Sequence, residues 1–315
     1  MPFVTAFYRA LGTGMVISVD SPIDDKVRSA MESLIEDYEH VLSRFRNDSL
    51  IAAIGKAEHG GSFDFPDWCA PLFDLYDALF SATSGAIDPC VGEDLIRLGY
   101  DASLSFTVTQ DAPEHLGALR GRAVWGRDVT RHGTTLVTHE PVQLDFGACG
   151  KGSLVDLLGR MLQSSQFVID AGGDLLIHAE QPISVALEDP EDQSHAIGIA
   201  HIANGALCAS APSRRHWNVA VNERTQIAIH HLLNAIDGLP AQQTEASWAY
   251  VPANATLNLA RDYPTAVADG LATALFVSDV AQLQRTFDFT YATLDESRQI
   301  AVSRNFPADL FLRSA

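Results

Sequence analysis

Basic residues are scarce in this chain. Lysine and arginine together number 21 against 40 aspartates and glutamates in 315 residues, a formal charge of -19. A surface of that sign repels phosphate backbones and anionic lipid, which argues against nucleic-acid and membrane partners. An anionic ligand then needs a local cationic site or a metal ion to offset the field, and carboxylates are plentiful as ligands for a hard cation. Cysteine is sparse as well. Cys69, Cys90, Cys149 and Cys208 lie far apart, with no CxxC pair and no clustering with histidine. That spacing argues against zinc and against a disulfide framework, and predicts buried free thiols. No apolar run is long enough to span a bilayer, and neither a signal peptide nor a lipid-attachment cysteine is read near Met1. The expectation is a cytoplasmic protein without a membrane anchor. Low-complexity linkers and solenoid-spaced repeats are also missing.

What is present is a globular composition, 47% hydrophobic and 19% charged, long enough to bury a substantial core. Residues 3–20 read as a hairpin, with Phe3–Tyr8 and Met15–Val19 flanking Leu11-Gly12-Thr13-Gly14. Ser21-Pro22 reads as an N-cap and first-turn proline. The helix that follows places Ile23, Val27, Met31, Leu34, Tyr38 and Leu42 on one side. A second amphipathic helix carries Phe65, Trp68, Leu72, Leu75, Tyr76 and Leu79 and stops at Ser84-Gly85. Residues 102–135 look irregular, built of strands and turns. Strands are expected around Phe167–Ile169, Leu175–Ile177, Ile183–Leu187, Ile197–Ala200, Ile227–Leu233 and Ala246–Val251. Helices near Thr265–Val277 and Ala281–Phe287 and strands near Phe289–Thr293 and Gln299–Ser303 complete the chain. The mixture predicts an α+β fold with mostly antiparallel sheets and packed helices, as one domain spanning 1–315.

The segment Val142–Asp156 is the most informative. It reads as a short apolar strand (Val142, Leu144) that loosens into a turn holding Gly147, Gly150 and Gly152, then re-forms as a helix from about Leu154. A strand running through a glycine turn to a helix start offers backbone N–H groups to an anion. Lys151 adds a positive charge there. A P-loop reading nevertheless fails. The Walker pattern needs its first glycine where Asp145 stands, and Ser or Thr after the lysine where Gly152 stands.

Three further candidates are weaker singly. Asp170-Ala-Gly-Gly-Asp174 is a glycine turn after a strand, open to close backbone approach. His230 and His231 are adjacent on a strand, so they face opposite sides and at most one serves a given pocket. Asp269 and Thr273 stand at i and i+4 on a helix, placing a carboxylate and a hydroxyl on one face as a fragment of an oxygen-ligand site for Mg²⁺.

Taken in order, these pieces resemble the ApbE family of flavin transferases. The resemblance runs through Leu11-Gly-Thr13, Leu42–Ser49, Gly85-Ala-Ile-Asp-Pro89, Leu144–Gly152 with Asp156, Gly172-Gly-Asp174, Ala209-Ser210, His231–Pro240 and Ala268–Thr273. It implies FAD and Mg²⁺ as cofactors, and transfer of FMN to a Ser or Thr of a partner flavoprotein with release of AMP. It further implies Asp269 and Thr273 as metal ligands, with backbone carbonyls of Ala148 and Ala272 completing the site. Leu11, Phe45, Ala86, Ile87, Asp88, Asp145, Lys151 and Leu233 are implied as lining the FAD pocket, and His231 as the catalytic histidine of the family's His-x-x-Asp-Pro-x-Thr-Gly motif. The chain departs from that motif with Asn234 for Asp, Ala235 for Pro and Asp237 for Thr, and Ala209 replaces the Thr that usually precedes the Ser. The departures leave two other readings: an FAD pyrophosphatase releasing FMN and AMP, and a non-catalytic flavin carrier.

Overall fold

The computed structural model describes residues 1–222 and 225–311, and side chains outside 220–227. Its main feature is a nine-stranded antiparallel sheet. In spatial order the strands are Phe3–Ala10, Thr13–Val19, Phe167–Asp170, Asp174–Glu188, Ala196–Ser210, Thr244–Pro252, Thr290–Asp295 and Ile300–Val302, with Ala308–Leu310 pairing along the outer part of Ala196–Ser210. Period-two patterning sets the faces. In Thr13–Val19 the buried residues are Met15, Ile17 and Val19. In Ala196–Ser210, Ala206 and Cys208 join the core under the helices, while Leu207 joins a second cluster with Leu175, Ile177, Trp248 and Phe306. The α+β, mostly antiparallel expectation holds, and all four cysteines are free and buried.

Several local expectations are corrected. The first long helix is Asp25–Leu42, and its N-cap is Asp24, whose carboxylate accepts the Val27 N–H at 2.8 Å; Ser21-Pro22 lies outside it. Met31, Ile35, Tyr38 and Leu42 are its buried stripe. The second amphipathic segment is a 3-10 turn, Asp67–Cys69, leading into the helix Ala70–Ala82. Within 102–135 lie a four-residue helix, Ala112–His115, and one strand, Val129–His132. That strand forms a small sheet with Gly61–Asp64 and Thr135–Thr138. Strands this short carry too few residues to show a period. The two strands expected at 175–177 and 183–187 are one, Asp174–Glu188, and it pairs with Ala196–Ser210 along its length with irregularities between His178 and Ile183 and between Leu187 and Glu188. The strand expected at Ile227–Leu233 spans Thr225–His230, with the Ile227 side chain outside the described set.

The largest correction concerns the central segment. Residues 141–146 form no strand, although Val142 and Leu144 are buried. The helix begins at Gly147 and runs to Gly159, so Gly147, Gly150 and Gly152 are helical and form no turn. Gly152 is there for contact. A Cβ on Gly152 would lie 2.3 Å from the Thr265 carbonyl oxygen, and Gly150 offers its carbonyl to the Tyr38 hydroxyl at 2.9 Å. The neighbour at Gly152 is the helix Pro264–Ala274. Asp156, one turn further along, accepts the N–H groups of Thr265 (3.1 Å) and Ala266 (2.8 Å) and so caps that second helix from the first. Glycine at a close approach thus replaces glycine in a phosphate turn.

Gly152→Ala is expected to force the two helices apart and to destabilise the fold by about 1–3 kcal/mol, read as a lower midpoint in urea unfolding.

Candidate functional site

The two packed helices, the turn at Asp170–Gly173, the first hairpin and the His231 loop line a cavity of about 1080 Å³. That is at the upper end of small-molecule sites, roughly 300–1,000 Å³. Eleven of the residues singled out above for the metal and the cofactor pocket, together with His231, line it: Leu11, Phe45, Ala86, Ile87, Asp88, Asp145, Ala148, Lys151, Leu233, Asp269 and Thr273. Ala272 does not. It is fully buried, and its carbonyl accepts the Ser247 hydroxyl at 2.6 Å.

The floor is an ionic cluster. Lys151 Nζ lies 2.8 Å from Asp174 Oδ2 and 3.1 Å from Asp269 Oδ1. Asp269 Oδ2 accepts the Gly152 N–H at 3.0 Å. Asp174 and Asp269 are each 1% exposed, whereas 33% of the Lys151 side chain remains accessible. The contact with Asp174 is an ion pair, and among the described residues neither Asp174 oxygen accepts a hydrogen bond. Burial, reinforced by the neighbouring Asp174 charge, pushes the Asp269 carboxyl upward against the opposing pull of Lys151 and the Gly152 amide. The two carboxylates hold the Lys151 ammonium well above its ordinary range, overcoming its desolvation.

Asp145 and Phe45 belong to a second group. Arg44, its side chain 7% exposed, forms a close ion pair with Asp145 and donates to the Tyr100 carbonyl at 2.5 Å. Its guanidinium lies 4.2 Å from the Phe45 ring centroid and 4.7 Å from that of Tyr100, a cation–π arrangement. Tyr100 in turn stacks on Trp217 at 5.7 Å and meets the His231 ring at 6.5 Å. Leu11 is held at φ +54° in the hairpin turn, with its N–H donated to Glu39 Oε1 at 2.8 Å.

Asp88 reaches the cavity wall, but its carboxylate turns inward. It accepts the Cys90 N–H at 2.8 Å and lies 3.4 Å from Arg122 Nη1. Arg122 has no accessible side chain, and its Nε is 2.8 Å from Asp94 Oδ2. Its Nη2 donates to the Ala235 carbonyl at 2.6 Å. The same loop is held by Ala118 N–H to the Ala235 carbonyl, Leu119 N–H to the Ile236 carbonyl, and Ala235 N–H to the Ala86 carbonyl. Asn234 Oδ1 accepts the Ile236 N–H at 3.0 Å and Asp237 Oδ1 the Leu239 N–H at 2.9 Å. Two of the three residues that depart from the motif, Asn234 and Asp237, therefore serve their own turns with a side-chain oxygen.

His231 is half-buried, with Nδ1 3.2 Å from the Arg215 carbonyl. A carbonyl only accepts, so Nδ1 carries the proton and Nε2 keeps its lone pair. Desolvation, with smaller contributions from His230 and Lys151, lowers its pKa from 6.5 to about 4. The ring is neutral near pH 7.

The model of the ApbE family matches residues 11–293. The chain belongs to the ApbE family. Its relatives include an FAD:protein FMN transferase from Rhodobacter capsulatus, 27% identical over 74% of this chain. That match spans 45% of the Rhodobacter protein, so the chain corresponds to about half of its length. An FAD:protein FMN transferase from Treponema pallidum is 27% identical over 80% of this chain and 72% of its own length. The crystal structure of the ApbE protein from Thermotoga maritima superposes with a TM-score of 0.79 at 19% identity, covering 98% of this chain and 99% of that one. Flavin transferase ApbE from Vibrio cholerae gives 0.76 at 18%, over 96% and 97%. At such identities the likeness establishes the fold.

Sequence reasoning missed Arg44, Tyr100 and Arg122 as site builders. Arg44 sits inside the quoted Leu42–Ser49 segment, so position was the available signal. Arg122 stands in an irregular stretch with no periodicity, and nothing local marks it as buried.

Arg122→Ala would leave Asp88 and Asp94 buried without their cation, and a loss of about 3–5 kcal/mol is expected from denaturant unfolding. For His231 the folded pKa lies below the unfolded one. The stability contributed by its neutral ring is complete above pH 6.5 and is lost as pH falls towards about 4. His231→Gln is expected to flatten the stability profile across that window.

Proposed function

We propose that this chain transfers FMN from FAD to a Ser or Thr hydroxyl of a partner flavoprotein, with Mg²⁺ as cofactor and AMP as the released product. The observation that carries the reading is the cavity wall, where a carboxylate and a hydroxyl one helical turn apart (Asp269, Thr273) share one space with a neutral histidine. Membership of the ApbE family and relatives named FAD:protein FMN transferase support the same chemistry.

The donor set suits a hard divalent cation. Asp269 and Thr273 offer oxygen ligands, Ala148 adds a backbone carbonyl on the same wall, and the ionic cluster already concentrates negative charge around a cationic centre. No group of three or more His, Cys, Asp or Glu suited to a metal occurs among the described residues. The cation would therefore take much of its shell from water and from the substrate's phosphates, as Mg²⁺ commonly does. When bound, Mg²⁺ offsets charge developing on the pyrophosphate during phosphoryl transfer.

The remaining steps belong to the protein. Phe45 and Tyr100, set edge to face beside the Arg44 guanidinium, give the cavity aromatic surface suited to a planar ring system. Tyr100 also packs against His231, fixing the ring that the Arg215 carbonyl orients. In the transfer, the acceptor hydroxyl oxygen bonds to the FMN phosphorus and the bond from that phosphorus to the AMP oxygen breaks. The hydroxyl proton passes to Nε2 of His231, which is unprotonated near pH 7. The Asn234 and Asp237 departures keep the loop in place, which supports retained transfer over a non-catalytic carrier.

Incubation with FAD, Mg²⁺ and a flavoprotein acceptor tests the reading. Covalent flavin on the acceptor with stoichiometric AMP is expected, and His231→Ala is expected to slow it about 100-fold or more. Asp269→Ala is expected to abolish the Mg²⁺ dependence. AMP and free FMN formed without acceptor would instead mark a pyrophosphatase, and FAD bound but intact would mark a carrier.

A further inference from the structure

The two oxygens of Asp269 are both engaged, Oδ1 by Lys151 and Oδ2 by the Gly152 amide. For a divalent cation at Asp269 and Thr273, Oδ1 is the carboxylate oxygen not tied to the helix backbone, since Oδ2 already accepts the Gly152 N–H. Oδ1 is where the Lys151 ammonium sits. The ammonium has a second anion within reach, since Asp174 Oδ2 is 2.8 Å away and neither Asp174 oxygen accepts a hydrogen bond. Asp174 is not part of the cavity wall, and Lys151 covers it.

We propose that Lys151 is a built-in competitor for the divalent cation at Asp269, and that Asp174 is the positioning residue that draws the ammonium aside when the cation arrives. The proposal rests on the reading that a divalent cation binds at Asp269 and Thr273, and it adds the role of the two residues behind that site. The charges favour an exchange. Without the cation, one ammonium is shared by two buried carboxylates, leaving a net negative pocket. With it, Lys151 and Asp174 form a neutral pair, and Asp269 with the cation carries a net positive charge facing the cavity. The arrangement makes the pocket attractive to an anionic pyrophosphate only once the cation is in place. An empty site with a free buried Asp269 would carry the full desolvation cost of that charge, which the lysine offsets.

The geometry of Lys151 suits this role. It projects from the second turn of the helix Gly147–Gly159, and 33% of its side chain is accessible, so the shift from one carboxylate to the other needs only side-chain rotation. Lysine is the right cation for it, a flexible point charge where arginine would fix both anions in a fork.

The test is binding of Mn²⁺ to the full chain without flavin, measured by electron paramagnetic resonance. Lys151→Met and Lys151→Gln are expected to tighten Mn²⁺ binding by about tenfold or more, because a unit positive charge near the ion is removed. Asp174→Asn is expected to weaken it by a similar factor, since the ammonium then rests wholly on Asp269. A gain in affinity cannot arise from a damaged fold, and thermal melts of each variant accompany the measurement. Wild-type protein gives an independent readout. Lys26, Lys56 and Lys151 are the only lysines, so ¹⁵N-lysine labelling resolves each ammonium. Mg²⁺ is expected to move the Lys151 Nζ signal and to leave Lys26 and Lys56 in place. Unchanged or weaker Mn²⁺ binding in both Lys151 variants, no loss in Asp174→Asn, no Mn²⁺ binding in any form, or a Lys151 signal indifferent to Mg²⁺ would each overturn the proposal. FAD binding, followed separately by flavin fluorescence, reports on the transferase reading. Loss of that reading with the Mn²⁺ pattern intact would leave a cation site of another purpose.

Discussion

The contact between Gly152 and the backbone at Thr265 is the constraint on which the site depends. Two helices from distant parts of the chain touch main chain to main chain there, closer than any side chain permits. Only at that separation does the Gly152 amide reach the Asp269 carboxylate, and only then does Asp156 reach across to the first amides of the opposing helix. Lys151, adjacent in sequence to that glycine, is carried to Asp269 and Asp174 by the same approach. The Asp269 carboxylate, the ionic cluster around it and the Asp156 cap are thus one packing event seen from different residues. Asp156 illustrates the energetic tension. Burial pushes its pKa up to about 7 while two backbone donors favour its charged form.

The long periodic elements were legible in the sequence. The hairpin at 3–19, the Tyr38 helix and the strand at 244–252 followed from apolar spacing alone, because each buries one face over several turns or pleats. The central segment was misread for a physical reason. Three glycines in six residues suggest a turn when propensity is counted locally, but the segment is helical, and at Gly152 the close contact with the neighbouring helix offsets the intrinsic cost of glycine there. The small sheet around Thr135–Thr138 escaped because four-residue strands hold too little pattern, and the continuity of Asp174–Glu188 was hidden by its irregular middle.

The site was legible in a different way. No single motif identified it; order along the whole chain did, and the fold then brought nearly all the residues to one cavity. What remained hidden was how each side chain is used. Asp88 stands at the wall yet spends its carboxylate on Arg122, and Ala272 lies behind the site with its carbonyl taken by Ser247. A residue's presence in a motif says where its backbone is, not which way its functional group points.

The loop from His231 to Pro240 is held to its neighbours largely through its main chain, while the Asn234 and Asp237 side chains close its own turns. Arg122, Ala118 and Leu119 bind carbonyls of residues 235 and 236, and the Ala235 N–H, which a proline would lack, binds Ala86. An anchor that reads a peptide group tolerates many side chains at that position, but at 235 it excludes proline, because the N–H itself is used. Positions 234 and 237 are less free, because there a side-chain oxygen closes the turn. The placement of the histidine therefore depends on which positions of the loop change, not on how many.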